Sequence, residues 1–71
     1  MNITPQQFHY LCNTTTTEIL TIMTEELGIS LPEACDKLYH SRTFEKLNDH
    51  ESGLYIQSPR YNLSYLMEEL Q

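Results

Sequence analysis

Seventy-one residues are about half of a typical domain, which excludes a pair of lobes closing on a substrate and leaves room for one core. Surface scaling for an 8.4 kDa chain predicts that folding buries only about 60% of the unfolded surface, so a partner or a second copy is an expected source of stability. Ten Asp and Glu against four Lys and Arg give a net charge of −6, which argues against nucleic acid as a ligand, because neutralising phosphates requires a basic face.

In chain order, Thr4-Pro5-Gln6-Gln7 opens a first helix with a capping hydroxyl, a proline in the first turn and a Gln three residues after the cap. Phe8, Leu11, Cys12, Thr15, Ile19, Ile22, Met23 and Leu27 then recur at steps of three and four as far as Gly28, which predicts one long helix from about residue 5 to 27. Ser30-Leu31-Pro32-Glu33 reads as a second capping box, starting a helix to about residue 40 whose buried stripe is expected to be Leu31, Ala34, Cys35 and Leu38, with Tyr39 beside it. Ser41 caps a short third helix, about 42–48, with Phe44 and Leu47 one turn apart. Asp49 to Gly53 is loop chemistry, and Leu54-Tyr55-Ile56 reads as a single helical turn or an extended lead-in. Ser58-Pro59 starts the last helix, about 59–70, with Leu63, Leu66, Met67 and Leu70 as its stripe. No alternating run is long enough for a strand. The expected fold is all-α, a compact single-domain bundle of about four helices around one long N-terminal helix.

Charge is distributed unevenly. Residues 1 to 36 hold Glu18, Glu25, Glu26, Glu33 and Asp36 and no Lys or Arg, whereas Lys37, Arg42, Lys46 and Arg60 all fall between 37 and 60. A basic partner is therefore drawn to the N-terminal half. No apolar run is long enough to span a bilayer and no secretory leader pattern is present, so a cytoplasmic protein without membrane contact is expected. Two lone thiols, Cys12 and Cys35, suit a reducing compartment.

Catalytic and metal chemistry find little purchase. His9 and Cys12 are the nearest pair of metal ligands, and two ligands do not make a site. Two glycines provide no phosphate-cradling run, and no nucleophile elbow occurs. The expectation is therefore a non-enzyme with no cofactor, no metal and no small-molecule substrate. A helix-turn-helix reading of the second and third helices remains as a DNA-binding alternative, carried by Arg42 and Lys46 at i, i+4.

Three features point outward. Thr14, Thr17, Thr21 and Thr24 form an uncharged, slender stripe opposite the apolar arc of the first helix, either a solvated face or one a second helix can approach. Tyr55, Tyr61 and Tyr65 with Arg60 form a candidate contact patch, since tyrosine offers a large apolar ring with a polar tip at low entropic cost; one or both rings of the last helix could instead cover the first. Glu25 and Glu26 lie at a helix C-terminus, where the dipole disfavours them, so a cation should answer them: Arg42, Lys37 or Arg60 from within the chain, or an Arg of a partner.

The segments Leu38-Tyr39-His40-Ser41, Thr43-Phe44-Glu45-Lys46-Leu47-Asn48-Asp49 and Gly53 to Pro59, with Tyr61, resemble a family of short bacterial helical proteins classed as a domain of unknown function, over about residues 27 to 70. That resemblance implies a cytoplasmic helical protein with no catalytic motif. It further implies genes lying beside those of proteins similar to ADP-ribosyltransferases, and hence an antitoxin-like neutraliser of a neighbouring enzyme. A homodimeric scaffolding protein is the alternative that the composition itself leaves open.

Overall fold

The computed structural model describes residues 3–71, and its four helices each start where a side-chain oxygen caps them. Helix α1 spans Pro5–Glu25, α2 Leu31–Tyr39, α3 Arg42–Leu47 and α4 Pro59–Glu69, with single 3₁₀ turns at His50–Ser52 and Leu54–Ile56. No strand occurs among the described residues. At Thr4 the full reciprocal box forms: its hydroxyl accepts from the Gln7 N–H at 3.1 Å while the Gln7 side chain accepts from the Thr4 N–H at 2.9 Å. Ser30, Ser41 and Ser58 each accept from the N–H three residues on, and Pro5, Pro32 and Pro59 occupy first-turn positions where no N–H is required.

Helix α1 sets the long dimension of the molecule, 37 Å against 20 and 18 Å, since its 21 residues alone run about 31 Å at 1.5 Å each. Its Cys12, Ile19 and Met23 meet Ala34 and Leu38 of α2, Leu47 of α3 and Leu63 and Leu66 of α4 in a single core. The Cys12 thiol donates to the Leu47 carbonyl at 3.4 Å, and burial pushes that thiol above its ordinary range, so it is a packing group rather than a nucleophile. Ser52 links α3 to the 3₁₀ segment: its hydroxyl donates to the Lys46 carbonyl and accepts from the Leu54 N–H at 3.2 Å.

Helix α1 ends two residues earlier than its apolar spacing predicts. The Leu27 N–H reaches the Ile22 carbonyl, five residues back, rather than that of Met23, which instead accepts from Ile29 at 3.0 Å. The last turn widens, Gly28 turns left-handed at φ +68°, and Leu27 swings out to 48% exposure while Ile29 packs against the core in its place. Three other core expectations change for related reasons. Leu31, at the first position of α2, and Leu70, at the end of α4, project beyond the packed length and are exposed, and Cys35 is only half-buried because α2 meets α1 along Ala34 and Leu38.

Candidate interaction surface

Threonines on α1 divide by face. Thr15 and Thr16 are buried, Thr14 and Thr24 half-buried, and Thr17 and Thr21 exposed. The outward set turns its hydroxyls back onto its own helix: Thr17 donates to the Asn13 carbonyl at 3.0 Å, Thr21 to that of Thr17 at 2.9 Å, and Thr24 to that of Thr21 at 3.1 Å. A hydroxyl so engaged offers little to a neighbour, and the Thr methyl is what remains. Tyr10, 69% exposed and four residues before Thr14, heads the same line; its spacing marks it as a member that the threonine stripe alone does not reveal. A hollow of about 360 Å³ lies along it, lined by Tyr10, Asn13, Thr14, Thr17 and Glu18. Glu18 also borders a second groove, of about 430 Å³, walled by Thr21 and Ile22 on one side and Ser58, Pro59 and Arg60 at the start of α4 on the other.

Glu26 is answered from within the chain. Its carboxylate takes both arms of the Arg60 guanidinium, at 3.1 and 2.5 Å, from the C-cap position of α1. The hydrogen bond from Arg60 holds the Glu26 carboxyl below the usual range and raises the guanidinium in turn. This fork pins the start of α4 to the end of α1, and Arg60 is thereby neutralised rather than presented as a free cation. Glu25 is exposed, with no ion pair found for it among the described residues.

The tyrosine patch is smaller than its sequence suggests. Tyr55 is buried, with its ring edge-on to Phe8 at 4.9 Å and stacked on His50 at 5.3 Å, because the 3₁₀ turn at 54–56 folds it against the first turns of α1; it belongs to the core rather than to the contact patch. Tyr61 and Tyr65 stay outside, 44% and 40% exposed, their rings edge to face at 5.3 Å and their hydroxyls 3.3 Å apart. The bond to Tyr65 raises the Tyr61 hydroxyl above the ordinary phenol range.

Two functional-looking side chains escape sequence reading. Glu69, at the end of α4, accepts from the Arg42 N–H at 2.6 Å and from both the N–H and hydroxyl of Thr43, at 3.0 and 2.8 Å. With Ser41 bonded to Phe44, the first three N–H groups of α3 are satisfied, and the Arg42 bond leads the causes that hold the Glu69 carboxyl low. The signal was available in outline, since Glu68 and Glu69 sit at a helix C-terminus as unfavourably as Glu25 and Glu26 do. Asn62 is fully buried and donates to the Leu54 and Ser58 carbonyls at 3.0 and 3.1 Å, joining α4 to the 3₁₀ turn; nothing in an isolated Asn between Tyr61 and Leu63 announces this.

Among the described residues no group of three or more His, Cys, Asp or Glu able to hold a metal ion occurs, and none of their helices is long and apolar enough to cross a membrane. Comparison with protein-family models, curated proteins and solved structures gives no match.

Proposed function

We propose that this chain is a non-enzymatic, acidic helical module that binds another protein. The observation that carries the reading is the Tyr61 and Tyr65 pair: two rings, half-exposed and already held edge to face on α4. Such a pair loses little conformational freedom on docking, which is why large aromatic side chains dominate the energetics of protein interfaces. An antitoxin-like neutraliser in a bacterial cytoplasm is the specific form of this reading, and it rests on the resemblance over about residues 27 to 70. The acidic N-terminal half would steer the module toward a basic substrate groove on the enzyme it inhibits. The DNA-binding alternative is weakened by Glu69, whose carboxylate occupies the α3 N–H groups that a backbone phosphate would otherwise meet.

The test is co-purification of the tagged chain from cells that encode it, followed by titration calorimetry with the purified partner. Replacing Tyr61 and Tyr65 together by Ala should weaken that complex by about 100-fold, the scale of two interface anchors, with the helical circular dichroism unchanged. An unaltered affinity in a folded double variant overturns the assignment of the tyrosine pair as anchor.

A further inference from the structure

We propose that the outward face of α1 is a docking groove for a basic amphipathic helix of the partner, an inference that rests on the protein-binding reading above and specifies its chemistry. Tyr10, Thr14, Thr17, Thr21 and Thr24 are spaced four, three, four and three residues apart. At 100° per residue they fall within an arc of about 80°, the seam geometry of two helices packed along their length. The seam is about 21 Å long, enough for some four turns of a partner.

Its surface is suited to close approach. The hydroxyls of Thr17, Thr21 and Thr24 are satisfied within α1, so covering them does not strand a polar group. One hollow lies along the first half of the seam, and a second groove begins beside Thr21 and extends toward Pro59 at the start of α4; Glu18 borders both.

Charge identifies the occupant. Glu18 and Glu25, one heptad apart, lie on the same flank of the seam, and α1 contains no Lys or Arg to offset them. A helix with small or apolar residues along its seam and Lys or Arg seven apart on the facing edge complements this flank. A second copy of the chain does not: packed antiparallel, it would set Glu18 and Glu25 against their own equivalents, and in either orientation it brings together two molecules of net charge −6.

The probe is a synthetic helical peptide of three heptads with Ala and Leu on its seam and Lys on both edges, compared with a copy bearing Glu in place of Lys. The Lys peptide should bind the ¹⁵N-labelled chain and perturb amides from Tyr10 to Ile22, with affinity falling about tenfold between low and physiological salt. Thr17→Lys combined with Thr21→Lys should weaken it by at least about tenfold while the spectrum stays that of a folded chain. Shifts confined to other faces, equal binding of the Glu peptide, or unchanged affinity in the double variant overturn the proposal. So does sedimentation showing a dimer of the chain that the double variant dissociates, since a second copy would then hold the face. A native complex that is lost with the tyrosine substitutions but indifferent to the threonine ones overturns the groove and leaves the protein-binding reading standing.

Discussion

Glu69 carries a carboxylate 26 residues back along the chain to the Thr43 N–H, and its contribution depends on its being ionised. Its carboxyl is held below the ordinary value of 4.5, so the bonds to Arg42 and Thr43 contribute fully above that pH and are lost as pH falls through the depressed value. Glu69→Gln should lower stability at pH 7 by about 1 kcal/mol, the scale of a lost helix cap. The variant should also lose less stability than the parent on going from pH 7 to pH 3.5. Urea unfolding at the two pH values measures both, and a parallel loss in the two proteins would show that the carboxylate does not cap α3. Glu26 titrates in the same direction, but its exposed pairing with Arg60 is screened by solvent and adds little to this dependence.

At the scale of elements, capping chemistry made the helices legible: Thr4, Ser30, Ser41 and Ser58 begin the four helices as their side chains predict. Ends were less legible, because apolar spacing continues through Leu27 whereas the hydrogen-bond frame shifts at Ile22, and periodicity carries no record of which carbonyl an N–H selects. Tyr55 was misplaced for a parallel reason. A short apolar segment between two turns has no period of its own, and only its contact with Phe8 decides which way it faces. The tertiary bonds of Asn62 and Glu69 were invisible because each joins segments that the sequence holds apart. Gly53 is the hinge of this irregular stretch, at φ +74° between the two 3₁₀ turns with open space where a Cβ would stand. Gly53→Ala should therefore cost about 1 to 2 kcal/mol of left-handed backbone strain with no added clash, and Gly53→Asn less. Thermal unfolding of both variants checks the order, and equal melting temperatures would contradict it.

Across the whole molecule the dominant imbalance is charge. Five acidic residues crowd the first 36 positions, and among the described residues Arg60, in its fork with Glu26, is the one Lys or Arg paired with any of them. Self-repulsion of this kind is long-ranged and is relieved as the screening length falls from about 30 Å to 8 Å between 0.01 and 0.15 M salt. The isolated chain should consequently melt about 2 to 4 °C higher at the upper salt concentration, as scanning calorimetry would show, and a lower or equal temperature would mean that local ion pairs outweigh the global field. The threonine face of α1 bears on a different kind of reading altogether. With their hydroxyls folded onto the helix, Thr17, Thr21 and Thr24 present to a visitor much the same contour as a row of valines, although their functional group classes them as polar. Valine would thus be the silent replacement at these positions and serine the disruptive one, the reverse of the ranking that chemical similarity by functional group suggests.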